Sequence, residues 1–425
     1  MFKHSLPLVV GFGYLDPGTG SLLFSVIMGV VTTAYFLLKG LYYKLVGAVF
    51  GALGWKSPVR EETLPLVLYS EGRQYFSSFQ PLLAELERRG RPCLFLTSDA
   101  EDPGLQLASG TIKAACIGSG HAAWRRLNTL KADLCLMTTP GLDVLQVKRS
   151  KGVAHYAHLI HAPTDKAFNR PFSFDYFDSV FVCGDHQVKT LRFLEQRRGT
   201  TVKDLIDVGC VYYDFMKEKL AGLPVRQGQG GGPASVLVAP TWGRNGLLRR
   251  YGVRILRPLL DAGLTVTVRP HPQSPISEPE VITDLRAQLA AFPNLRWDLS
   301  GDPIQAMAAS DIMLSDISGV IFDYAFLFEK PVLTVAFTPD KRGMEASDLP
   351  YEPWELTVLD RIGRQLGEED FDRLPDFVAS MAASDQSRAA IRDLRERSVS
   401  HFGTATPRVV DAIEAILDRI KAERA

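Results

Sequence analysis

Four short clusters in this 425-residue chain carry side chains able to grip a phosphate or move a proton. The first is His161-Ala162-Pro163-Thr164-Asp165-Lys166, closing an apolar run that also contains His155 and His158. An imidazole with an amine five residues on offers a base beside a cation suited to phosphate. The alternation of His155 and His161 with apolar neighbours fits buried core histidines as well. The second cluster, Ala239–Arg244, supplies the Thr241 hydroxyl, backbone donors after Pro240 and an arginine, a set that suits phosphate or ribose and equally a plain turn. In the third, Arg269-Pro270-His271-Pro272, two prolines restrict the backbone around one histidine and so limit where it points. The fourth runs from Ser315 and Asp316 through Ser318 and Gly319 to Asp323, ahead of Ile321, Phe322, Ala325 and Leu327 at helical spacing. A helix starting near Ser318 puts the serines and Gly319 at its positive end, a ready anion site; a simple Ser/Asp cap would look the same.

Elements with β-α alternation must position these clusters. Apolar runs at 64–69, 93–97, 112–117, 134–137 and 180–182 read as buried strands, and Phe79–Arg89 reads as a helix closed by Gly90. After Arg226-Gln-Gly-Gln-Gly-Gly-Gly-Pro233, which cannot hold regular structure, the alternation restarts with strands at 235–239, 264–269, 295–297, 312–315 and 332–337. Two doubly wound parallel sheets are expected, at 61–228 and 234–400, followed by a helix at 401–425 with Thr406 as its cap and Pro407 at its first helical position. Ligands of such sheets bind beyond the carboxyl ends of the strands, where all four clusters fall.

The 48 basic and 48 acidic residues cancel, which argues against a nucleic-acid partner. Five scattered cysteines, Cys93, Cys116, Cys135, Cys183 and Cys210, lack metal-ligand spacing and read as reduced thiols, three of them in strand-like runs; no metal or cofactor is expected. Residues 1–60 depart from the globular pattern. From Ser5 to Leu38 the only charge is Asp16, and Leu22–Leu38 is long enough to cross a bilayer core. Lys39, Lys44, Lys56 and Arg60 follow it, against Lys3 before it, so a membrane anchor with the bulk of the chain on the cytoplasmic face is expected. A helix lying in the membrane surface is the competing reading.

In this order the clusters resemble the CDP-glycerol glycerophosphotransferase family, enzymes of teichoic-acid-type polymers, over roughly residues 64–417. His161 through Lys166 is similar to the family's histidine-glycine-x-x-x-lysine segment, with Ala162 where the family usually has glycine. Pro240-Thr241-Trp242, Arg269 through Pro272, Ser315 through Asp323 and Phe402-Gly403 match its other segments. The resemblance implies a GT-B-like enzyme, two Rossmann-like domains facing a central cleft, with a membrane-associated N-terminal segment. It further implies transfer of a polyol phosphate from CDP-glycerol or a related CDP-polyol to a lipid-linked or polymeric acceptor, with release of CMP. His161 and His271 would be catalytic, His161 as the base. Lys166, Pro240, Thr241, Arg269, Ser315, Asp316, Ser318, Gly319 and Asp323 would bind the donor. Two alternatives share the fold, a glycosyltransferase or epimerase-like enzyme using a nucleotide sugar and a non-catalytic membrane scaffold.

Overall fold

The computed structural model describes residues 64–225 and 233–425, together with Met28, Thr33, Tyr35 and Leu38. Those four are helical and exposed and belong to a separate unit, Met1–Glu62. The rest of the expected anchor at 1–60 and the glycine-rich connection at 226–232 lie outside the described residues. Among the described residues no helix is long and apolar enough to cross a membrane.

The second unit, Thr63–Ala425, is built on two parallel sheets. The first has seven strands, β1 (Leu64–Ser70), β2 (Cys93–Thr97), β3 (Ile112–Cys116), β4 (Lys131–Met137), β5 (Gly152–Leu159), β6 (Ser179–Val182) and β7 (Asp204–Asp207), in the order 3-2-1-4-5-6-7. The second has six, β8 (Ser235–Val238), β9 (Thr265–Val268), β10 (Leu295–Trp297), β11 (Ile312–Ser315), β12 (Val332–Val335) and β13 (Gly363–Leu366), ordered 10-9-8-11-12-13. Strands such as Ser235-Val-Leu-Val are buried along their whole length because helices cover both faces, so they read as continuous apolar runs.

The sequence pattern misses β7 and β13, each at one edge of its sheet, while the opposite edges, β3 and β10, carry enough apolar residues to be read. Edge strands bury less, and Asp-Leu-Ile-Asp and Gly-Arg-Gln-Leu are correspondingly polar. Gly363 has a steric reason: a Cβ there would stand 1.6 Å from the Val332 carbonyl oxygen.

Three apolar clusters hold the layers. One face of the first sheet packs Leu66, Leu68, Phe79 and Leu82 with Val409, Ile413 and Ile416 of the last helix, Ala405–Arg424. The outer face of the second packs Val236 and Val238 against Ile255, Leu259 and Phe377. A third cluster is continuous between the lobes, running from Val67 and Tyr213 to Phe322, Phe326 and Ile391. The last helix therefore crosses back to the first lobe. Its expected start is corrected: the helix begins at Ala405, so Thr406 is its second residue and Pro407 its third rather than its first, and Asp214 caps it from outside. The Asp214 carboxylate accepts the Ala405 and Thr406 N–H groups at 3.2 and 2.7 Å. The early helix also starts sooner than expected, at Phe76, and ends at Arg88, with Gly90 just beyond it at φ 65°.

Candidate active site

In the six-stranded sheet the strand order reverses between β8 and β11, the position at which open α/β sheets bind ligands. The loops leaving these strands are tied together. The Ser315 hydroxyl donates to the Ala239 carbonyl at 2.7 Å, and the buried Asp316 carboxylate accepts the N–H groups of Thr241 and Leu247 at 2.8 and 3.0 Å. Burial raises the pKa of Asp316, and those two N–H groups oppose the rise. Gly243, at φ 88°, donates its N–H to Glu278, which also holds Ser274 and Arg249. The loop carrying Pro240 and Thr241 is thus fixed from beneath, and Trp242 remains 44% exposed at its tip.

Beside Trp242, with ring centroids 6.2 Å apart, lies His271. Its Nδ1 accepts the Gln273 N–H at 3.1 Å, so the neutral ring carries its proton on Nε2, as a donor. Burial lowers its pKa. Arg269 is engaged within the protein, donating to Asp298 at 2.6 Å and to the hydroxyl and carbonyl of Ser300 at 3.1 and 2.8 Å. Arg269, Ser315 and Asp316 therefore shape the crevice from within. Gly319 is exposed at the start of the helix Val320–Phe328, where nothing lies within 4 Å of the place a Cβ would take.

The first lobe supplies the other wall. His161 stands two residues beyond β5, its ring edge-on to Tyr75 at 5.1 Å, and its Nδ1 is buried without a hydrogen-bond partner. The loop after it is locked by residues at the start of the helix Asp185–Arg198. Gln187 donates to the carbonyls of Ala162 and Thr164 at 3.0 and 2.8 Å, and His186 donates to that of Pro163 at 2.5 Å. His186 also stacks on Trp354 at 4.2 Å. Asp165 accepts the Trp354 N–H at 2.7 Å, a hydrogen bond that crosses from one lobe to the other.

Electrostatics join the two walls at Lys166. Its backbone is in the left-handed region, φ 65°, and burial lowers the pKa of its ammonium while Cys183, Glu355, Cys210 and Asp323 pull the other way. Burial lifts Asp323 to about 7 against the neighbouring Tyr213 hydroxyl and Lys166. Burial and Asp165 lift Glu355 to about 8 against Lys166 and Thr164. His161 goes the opposite way, to about 3, first through burial and then through Lys166. A neutral imidazole beside a cation, with two carboxyls that share protons near neutrality, can accept a proton and hold an anion.

The expected residues thus form two sets. His161 lies in the field of Lys166, and Lys166 in that of Asp323 from the other lobe, while Pro240, Thr241, Ser315, Asp316, Ser318 and Gly319 gather at the sheet reversal with Arg269 and His271 close by. Among the described residues no hydrogen bond joins His161 directly to the second set; the charge of Lys166 acts on both His161 and Asp323. Glu355, Asp165, Trp354 and Tyr213 complete the site; Asp165 falls inside the first cluster with no role read for it, and the sequence pattern marks none of the other three. Glu355 follows Glu-Pro-Trp in the short helix Trp354–Thr357, and nothing in that run signals a buried carboxyl. Among the described residues no group of three or more His, Cys, Asp or Glu side chains is placed to hold a metal ion.

Comparison with known proteins adds a family and a fold. The family model described as CDP-Glycerol:Poly(glycerophosphate) glycerophosphotransferase matches residues 192–415. No curated protein matches the chain. Among solved structures, the wall teichoic acid polymerase TagF superposes with a TM-score of 0.53 at 14% identity, over 84% of this chain and 89% of that one. A putative UDP-N-acetylglucosamine 2-epimerase from Listeria monocytogenes gives 0.56 at 12% identity, over 83% and 96%. S. aureus MnaA with UDP gives 0.53 at 14%, over 84% and 97%. At such identities these likenesses establish the two-sheet α/β fold and no more.

Proposed function

Since the chain belongs to the CDP-glycerol:poly(glycerophosphate) glycerophosphotransferase family, we propose that it transfers glycerol phosphate from CDP-glycerol, or a related CDP-polyol, to a hydroxyl of a lipid-linked or polymeric cell-envelope acceptor. The acceptor oxygen attacks the donor's β-phosphorus, the P–O bond to CMP breaks, and the acceptor's proton passes to His161. One observation carries this reading: His161 has a buried, unpartnered ring nitrogen in the field of the Lys166 ammonium, and that ammonium is stabilised in turn by the charge of Asp323 from the opposite lobe. Burial and the lysine keep the ring neutral and able to take a proton. A diphosphate bound beside Lys166 offsets that cation's field and makes the ring more basic when the base is needed. His271, through Nε2–H, and the helix start at Ser318 and Gly319 bind the phosphates whose charge grows as CMP leaves. The segment 1–60 holds the enzyme at the cytoplasmic face of the cell membrane, beside a lipid-linked acceptor.

Purified protein incubated separately with CDP-glycerol, CDP-ribitol and UDP-sugars tests the donor. Acceptor-dependent CMP from a CDP-polyol is the expected product. Release of UDP would move the chain to the nucleotide-sugar enzymes whose fold it shares. His161→Ala should lower kcat by about two to four orders of magnitude with the far-UV circular dichroism unchanged. Undiminished turnover in that variant removes the base assignment.

A further inference from the structure

The first sheet has its own reversal of strand order, between β1 and β4, and a cavity of about 440 Å³ opens there. Glu71, just past the end of β1, and Thr139, just past the end of β4, line it together with Tyr75, Trp124, Asn169 and Arg170. The volume suits a small ligand, and the position is the one that parallel sheets favour for binding. None of the donor-binding residues lines this cavity, and it lies outside the family-matched residues 192–415.

Its chemistry is selective. Tyr75 and Trp124 bring two aromatic rings to its wall. The Thr139 hydroxyl is buried, 7% exposed, and completes no well-formed hydrogen bond within the protein. Glu71 lies beside it; the cavity walls raise the Glu71 pKa and the nearby Thr139 hydroxyl opposes the rise. Arg170 is the one cation among the lining residues, set against one carboxyl. Tyr75 also packs edge to face with the His161 ring, so the cavity borders the residue read as the base.

We propose that this cavity binds the acceptor's terminal unit and that the unit is a neutral pyranose, stacked on the aromatic rings with Glu71 and Thr139 holding its hydroxyls. The inference rests on the transferase reading given above and specifies its acceptor. Aromatic rings recognise the apolar face of a sugar, and a carboxyl beside an unpartnered hydroxyl recognises sugar hydroxyls. A phosphate-bearing chain end would instead set its anion against Glu71, with a single arginine to offset it.

Saturation-transfer NMR with methyl β-D-glucopyranoside, competed by glycerol 3-phosphate, tests the cavity on the full-length protein without any donor. Transfer to the ring protons of the glycoside is expected in the unaltered protein. Trp124→Ala and Glu71→Gln should each weaken binding about tenfold. Glu71→Gln alters a solvent-facing side chain and keeps the test valid if Trp124→Ala fails to fold. Absence of glycoside binding to the unaltered protein, or binding unchanged in Glu71→Gln, overturns the site. Displacement of the glycoside by an equal concentration of glycerol 3-phosphate overturns the neutral-sugar class. CMP release from CDP-glycerol is measured in parallel, so failure of the donor reading is seen separately from failure of the cavity.

Discussion

Acidification should leave His161 uncharged well below the pH at which an ordinary histidine protonates. Its pKa is pushed from 6.5 to about 3, first by burial and then by Lys166. At pH 5 a group of pKa about 3 is about 1% protonated, whereas an ordinary histidine is about 97% protonated. The linkage has a definite sign. Because the folded value lies below the unfolded one, the unfolded chain takes up a proton that the folded protein refuses, and stability is lost as pH falls from 6.5 toward 3. At about 1.4 kcal/mol per pH unit, the full loss is about 5 kcal/mol. The assay is a 13C-histidine NMR titration of the eight histidines, with His161→Gln assigning the resonance. Lys166→Met should move the midpoint upward yet leave it below 6.5, because burial is the larger cause. A His161 midpoint near 6.5 in the unaltered protein would refute the electrostatic account, and a return to 6.5 in Lys166→Met would refute the ranking of causes.

Two further changes probe the frame. Asp316→Asn keeps one acceptor but sets an amide N–H against a backbone N–H, either that of Thr241 or that of Leu247; it should cost about 1.5–3 kcal/mol in urea unfolding and raise the donor KM more than it changes kcat. A loss under about 0.5 kcal/mol would show that the carboxylate does not clamp the crevice. Arg198 is 7% exposed and binds Asp175 at 2.9 Å, Asp348 at 2.8 Å and the fully buried Glu345, joining the lobes. Arg198→Met should destabilise by about 3–5 kcal/mol by leaving buried carboxylates unpaired, and an unchanged urea midpoint would exclude an interlobe tie.

Periodicity makes most of the frame legible in the amino-acid sequence, because strands covered on both faces must be apolar throughout and their ends are marked by turn and cap residues. For that reason the expected strands at 93–97 and 312–315 coincide with the observed ones, and the four polar clusters stand at strand ends. The edge strands Asp204–Asp207 and Gly363–Leu366 carry no such signal, since part of each faces solvent. The residue types able to bind phosphate are equally plain in one dimension, but their duties are not. Arg269, Ser315 and Asp316 look alike as donor ligands in the sequence, and folding engages all three with groups of the protein itself. Glu355 and Tyr213 enter the site only because the chain returns from distant positions, bringing Glu355 into the field of Lys166 and Tyr213 beside Asp323. Charge and pattern are properties of the chain, whereas desolvation depends on what packs around a group. Only the tertiary structure could therefore hold the His161 imidazole neutral down to about pH 3 and make Glu355 a carboxyl that titrates at about 8.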